Sequence, residues 1–179
     1  MTRYIAFLRA INVGGHTVKM DELRALFIGM GFANVATFIA SGNVIFDADK
    51  PDVDTLQALI ESELKQRLGY EVAAFLRTDA EVAAIARYEP FRAPALAAAG
   101  ALNVAFLADP LSTAEEQLLM TLKTTIDDFH VHGREVYWLC QTKQSESTFS
   151  NTRFERTLRK QTTLRGINTV RKLAAQYAP

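Results

Sequence analysis

Apolar residues along this chain fall into short continuous or alternating runs and longer stretches at helical spacing, and the order of the two patterns repeats. Residues 3–9, Arg-Tyr-Ile-Ala-Phe-Leu-Arg, form an apolar run ending at a glycine-bearing loop, as a buried strand would. The loop continues to Lys19. Met20, Leu23, Leu26, Phe27 and Met30 then recur at helical spacing, and Gly31 stands where a left-handed cap closes a helix. Residues 35–40 and 44–47 are β-prone runs joined through Ser41-Gly42-Asn43, which predicts an antiparallel hairpin. A second helix is predicted from Pro51, with Leu56, Leu59, Ile60, Leu64 and Leu68 as its apolar stripe and Gly69 as its stop. Residues 71–77 supply a fourth strand, and Thr78-Asp79-Ala80-Glu81 has the spacing of a capping box that opens a further helix.

The order β-α-β-β-α-β is that of the ferredoxin-like, split βαβ arrangement, with both helices on one face of an antiparallel sheet. Residues 89–100, Glu-Pro-Phe-Arg-Ala-Pro-Ala-Leu-Ala-Ala-Ala-Gly, read as a connector. The pattern then resumes. A strand is predicted over 102–108, and a capping box at Ser112-Thr113-Ala114-Glu115 opens a helix through Thr124. A hairpin over 129–132 and 135–140 turns at Gly133. Thr152-Arg153-Phe154-Glu155 repeats the capping-box spacing, with Phe154 and Leu158 facing inward. A last strand over 162–165 leads to a terminal helix capped by Asn168, with Val170, Leu173, Ala174 and Tyr177 on one face. The expected fold is α+β: two ferredoxin-like βαββαβ halves, each with an appended helix, related by duplication. Residues 1–88 form the first half, 89–100 the connector and 101–179 the second half.

Composition narrows the setting without naming a function. The chain is 49% apolar and 22% charged, within the globular range, and its 20 basic and 20 acidic residues cancel. No global field calls for nucleic acid or an anionic membrane. The last 29 residues nevertheless carry seven basic side chains against one acid, net +6, leaving −6 on the first 150; solvated helix faces account for such a run. Cys140 is the only cysteine, so no intramolecular disulfide can form, which fits a reducing, cytoplasmic compartment. The first apolar run is broken by Arg9 and resembles neither a signal peptide nor a membrane span.

Three strings stand together: Tyr-Ile-Ala-Phe-Leu-Arg-Ala-Ile-Asn-Val-Gly-Gly at 4–15, Phe-Ile-Ala-Ser-Gly-Asn-Val-Ile-Phe at 38–46, and Thr-Leu-Arg-Gly-Ile-Asn-Thr-Val-Arg-Lys-Leu at 163–173. With the helix start at Asn151–Glu155, they resemble the bacterial domain-of-unknown-function 1697 family over nearly the whole chain. That pattern is departed from at Ala10, where glycine is usual, at Ala40 (glutamine), Gly166 (asparagine) and Ile167 (an aromatic). The resemblance implies an α/β fold and no established activity, and it carries over no catalytic residue.

The loop 9–19 is the most informative candidate, because a strand ends, two glycines follow and a helix begins. Backbone N–H groups there suit phosphate or carboxylate, and Arg9, Asn12 and Lys19 add donors around Gly14 and Gly15. The spacing is neither a P-loop nor a dinucleotide fingerprint, and positive φ in a tight crossover also explains the glycines. Ser41 and Asn43 are turn residues that can present a polar tip beside this loop, and Arg165 with Asn168 complete the candidate ligand contacts. His130 and His132 share a strand face, but no third ligand accompanies them, and no metal is expected. Cys140 reads as a small buried hydrophobe. A binding module for a small anionic or nucleotide-like ligand therefore ranks first. An enzyme acting on a phosphorylated metabolite would need an acid or base within reach of the same site. An RNA- or protein-interaction module would use an open sheet face, though the basic and aromatic RNA-binding signature is missing. The sequence names no cofactor, catalytic residue or oligomeric state.

Overall fold

The computed structural model describes all residues except 13, 40, 41, 50, 51 and 178. The chain divides into two compact units, Met1–Ala83 with Leu173–Pro179, and Ala84–Lys172.

In the first unit β1 (Thr2–Arg9), α1 (Met20–Gly29), β2 (Ala33–Thr37), β3 (Asn43–Ala48), α2 (Val53–Leu68) and β4 (Ala73–Thr78) follow the expected order. The sheet runs β2-β3-β1-β4 with every neighbouring pair antiparallel. Strand alternation separates its faces. Tyr4, Ala6, Leu8, Val44, Phe46, Ala74 and Leu76 pack with Leu23 and Phe27 of α1 and Leu56, Ile60 and Leu64 of α2. Phe46 is the centre of an aromatic group, 4.5 Å from the Phe32 ring and 5.4 Å from Phe27. Both helix stops are as expected: Gly31 and Gly69 adopt φ of +87° and +82°, where a side chain would be strained.

The division between the units falls within α3 (Asp79–Arg87), which opens on the predicted capping box, with Thr78 N–H on Glu81 and Glu81 N–H on Thr78. The predicted connector contains a short helix, α4 (Ala93–Ala98). Beyond it come β5 (Ala101–Phe106), α5 (Thr113–Met120), β6 (Asp127–His132), β7 (Glu135–Cys140), a 3-10 turn at Gln144–Glu146, α6 (Asn151–Leu158), β8 (Thr163–Gly166) and α7 (Ile167–Tyr177). The second sheet, β6-β7-β5-β8, repeats the strand order of the first.

The likeness between the halves extends to individual bonds. Ala6-Phe7-Leu8 of β1 and Ala105-Phe106-Leu107 at β5 occupy the same register, since Ile5 faces Arg77 and Val104 faces Arg165. In α2, Glu61 Oε1 accepts from Ala74 N–H (2.8 Å) and from the Gln57 amide (3.3 Å) four residues earlier. In α6, Glu155 Oε1 accepts from Thr162 N–H (3.0 Å) and from the Asn151 amide (3.3 Å), again four residues earlier. Ala74 and Thr162 are equivalent positions in this register, so each half fastens its last strand to its second helix with the same device.

Three expectations are corrected. Thr152 does not cap α6. The cap is Ser150, whose Oγ accepts from Arg153 N–H, because Glu155 is already spent on Thr162. Asn168 does not cap α7, which starts at Ile167 directly from β8 and leaves Asn168 inside the first turn. The helix after Ser112 ends at Met120 rather than Thr124, since the Thr124 hydroxyl is engaged with Asp127 at the entry to β6.

The Ser112 capping box is complete, with Ser112 Oγ accepting from Glu115 N–H and Glu115 Oε2 accepting from Ser112 N–H at 2.8 Å. That bond from Ser112 N–H, with Lys160 adding to it, lowers the Glu115 pKa against the opposing effect of desolvation. A depressed carboxyl pKa stabilises the fold above the unfolded-state value, and that contribution disappears as pH falls through the folded value. Urea denaturation at neutral pH and at pH ~3 should therefore show an acid-induced loss of stability that Glu115→Gln reduces. An unchanged loss in the variant would count against this role.

Candidate functional site

The β1 strand delivers Arg9 to its end, half-buried and on the face shared by Ile5 and Phe7, away from α1 and α2. Ala10 then turns at φ of +61°, and the chain crosses the end of the sheet to reach α1. Three contacts fix this loop. Tyr70 donates from its hydroxyl to Ile11 O at 2.7 Å, and Val18 N–H donates to Asn12 Oδ1 at 2.8 Å. Gly42 backs against Ile11 and Leu8: its carbonyl accepts from Leu8 N–H at 2.8 Å, and a Cβ there would lie 2.9 Å from Ile11 Cγ2. The hairpin turn and the first loop thus meet.

Between the pinned ends, Gly14 and Gly15 take φ of +61° and +84°, and a Cβ at either would meet nothing within 4 Å. Among the described residues neither glycine N–H has an acceptor. His16 is exposed, and its ring lies on Tyr70 with centroids 4.0 Å apart and planes 20° apart. Burial, and then the Glu22 carboxylate, push the Tyr70 pKa up, which keeps its phenol a donor to Ile11. Lys19 is exposed at the start of α1, where its side chain makes no capping bond. Asp21 and Glu22 occupy the first turn and complement the positive end of the helix.

The remaining candidates divide. Asn12 is exposed but spends its oxygen closing the loop. Asn43 is fully buried, its amide donating to Phe38 O at 2.9 Å, and so builds the turn from within. Ser41 lies outside the described residues. Arg165 and Asn168 belong to the second unit. Arg165 is buried on β8, donating to Thr163 Oγ1 (2.7 Å) and Leu164 O (2.9 Å), and desolvation lowers its pKa to about 10. Asn168 is exposed.

Elsewhere in the second unit His130 and His132 do share a face, and both are directed at one ring. Tyr88 OH is 2.7 Å from His130 Nε2, and His132 stacks on Tyr88 at 3.9 Å. Among the described residues no group of three or more His, Cys, Asp or Glu side chains is placed to hold a metal. Cys140 is a free, buried thiol. The sequence reasoning missed Tyr70, since its signal was only that an aromatic follows the Gly69 helix stop. The sheet faces turned from the helices are buried too, through Ile5, Phe7, Ile45 and Phe75 in one unit and Val104, Phe106 and Leu139 in the other.

A family model described as protein of unknown function, DUF1697, matches residues 1–137. The chain belongs to the DUF1697 family. No curated protein matches its sequence. Among solved structures, this DUF1697 chain is similar to a conserved bacterial protein from Streptococcus pneumoniae, at 20% identity and a TM-score of 0.73, with 98% of each chain covered. That likeness extends across both units and concerns the fold. No helix among the described residues is long and apolar enough to cross a membrane.

Proposed function

We propose that this DUF1697 protein is a bacterial, cytoplasmic binding module for a small anionic or nucleotide-like ligand, held at the end of β1. The observation that carries this reading is the Gly14–Gly15 pair, with two consecutive N–H groups lacking an acceptor among the described residues, in open space and on a loop pinned at both ends. Packing does not require these glycines. Their positive φ is a turn conformation, and successive amides in such a turn donate to a phosphate or carboxylate oxygen. Arg9 and Lys19 stand at the two ends of the same loop in the sequence, and in this reading they add charge-assisted donors. The shared helix-to-strand device in α2 and α6 supports an origin by duplication of a ferredoxin-like unit. Only the first copy carries the paired glycines after its first strand; the second continues from Leu107 into Ala108-Asp109-Pro110. Ligand binding in this reading belongs to one copy.

The test is a thermal-shift titration of the full chain with inorganic phosphate and phosphorylated metabolites, since a ligand selective for the folded state raises the melting temperature by mass action. Arg9→Ala should abolish the phosphate-dependent shift, and Lys19→Ala should weaken it. A shift unaltered in both variants, or no shift with any anion, would overturn the reading.

A further inference from the structure

We infer that the face of Tyr70 is the base-stacking platform of a nucleotide whose phosphate lies on the Gly14–Gly15 amides, and that His16 is its placeholder in the unliganded protein. This rests on the reading of the glycine loop as an anion site and names the ligand class that site takes. Three observations converge. The Tyr70 ring is held in place from both sides, by packing of its body on the first core and by its hydroxyl bond to Ile11 O, so its orientation is set before any ligand arrives. The partner on its face is an exposed imidazole rather than a core side chain. At 4.0 Å and 20° that imidazole has the spacing and near-parallel tilt of a stacked heterocycle. His16 also directly follows the two glycines whose surroundings are empty, while Asn12 and the buried Val18 anchor the loop on either side. His16 is itself exposed, so its leaving the ring would uncover no core side chain.

The chemistry fits a planar base better than a sugar phosphate alone. An aromatic platform is indifferent to phosphate but gains from any flat π-system, and a ligand with both parts uses ring and amides together. Lys19, exposed at the start of α1, adds a cation for the phosphate.

Isothermal titration of the full chain with inorganic phosphate, ribose 5-phosphate and AMP separates the two levels of the claim. AMP is expected to bind about tenfold tighter than ribose 5-phosphate. Tyr70→Leu should remove that advantage, and Tyr70→Phe, which keeps the ring but not the bond to Ile11, should retain it. Because Tyr70 also packs on the core, His16→Ala provides an independent arm at an exposed position. It should raise AMP affinity by the reciprocal of the fraction of molecules in which the ring is free of the stack, and leave ribose 5-phosphate unchanged. Equal affinities for AMP and ribose 5-phosphate would overturn the stacking platform and leave the anion site standing. An AMP advantage indifferent to both Tyr70→Leu and His16→Ala would place the base elsewhere and overturn it as well. Absence of binding by all three probes would remove the anion site and this inference together.

Discussion

Asp127→Ala is expected to lower the unfolding free energy by about 3 kcal/mol. The Asp127 carboxylate is 1% exposed, and its charge is met by neutral donors. Trp138 Nε1–H donates to Oδ1 at 2.8 Å, Thr124 Oγ1 to Oδ2 at 2.9 Å, and the Ser147 hydroxyl lies 2.8 Å from both oxygens. These bonds join the turn before β6, the strand β7 and the segment after the 3-10 turn. Removing the carboxylate deletes all of them and strands the indole N–H, which Trp138 keeps buried at 1% exposure. Leaving buried donors unmet costs more than the bonds themselves are worth in balance with water. Asp127→Asn keeps one acceptor oxygen and should lose less. Trp138 is the only tryptophan, so its fluorescence in urea denaturation reports both the stability and the local loss. A change below ~1 kcal/mol would show that these donors find other acceptors.

The Asp127 node also shows where sequence reading stopped. The alternation of β6 was legible from Phe129 onward, but Asp127 and Asp128 look like turn acids, and nothing local marks one of them as buried. Its partners lie 3, 11 and 20 residues away, and only the folded register brings Trp138 and Ser147 to the same carboxylate. Elements set by local chemistry were readable. Gly31 and Gly69 stop helices because left-handed backbone favours glycine, and the Thr78 and Ser112 boxes announce themselves by spacing. The same rule failed at Thr152, because a glutamate three residues into a helix has two possible uses and the sequence does not say that Thr162 claims it.

The candidate site divides along the same line. Arg9, Gly14, Gly15 and Lys19 were visible as a strand end, a glycine pair and a helix start. Asn43 was visible as a turn residue, but its burial was not, since a polar side chain in a turn is ordinarily solvated. Tyr70 was hidden by distance: it stands 59 residues from Ile11, whose carbonyl it holds. The strand order puts β4 beside β1, so the residues entering β4 and those leaving β1 share one end of the sheet. That consequence of topology is invisible to any window on the sequence, and it turns a plain loop into one with an aromatic floor.

Phe154→Ala is expected to cost about 4 kcal/mol, the largest loss at any single position in α6. Phe154 is fully buried, one turn before Leu158, and its ring meets Phe149 edge-on at 6.4 Å and 87°. Phe149 in turn packs on Trp138 at 4.6 Å and Phe129 at 4.8 Å, so a cavity at Phe154 opens beneath a linked aromatic group that cannot close by moving one side chain. Phe154→Leu fills much of that volume and should cost less than half as much. The neighbouring Glu155→Ala makes the sharper comparison. Glu155 is only half-buried and contributes through its hold on Thr162 N–H and the Asn151 amide, so its loss should frustrate polar groups without creating a void. A penalty of about 1 to 2 kcal/mol is expected there, clearly smaller than for Phe154→Ala. Denaturant midpoints for the three variants, with unchanged slopes, would establish the order. A Glu155→Ala loss equal to that of Phe154→Ala would mean that the helix-to-strand bond, rather than burial, holds α6 on its sheet.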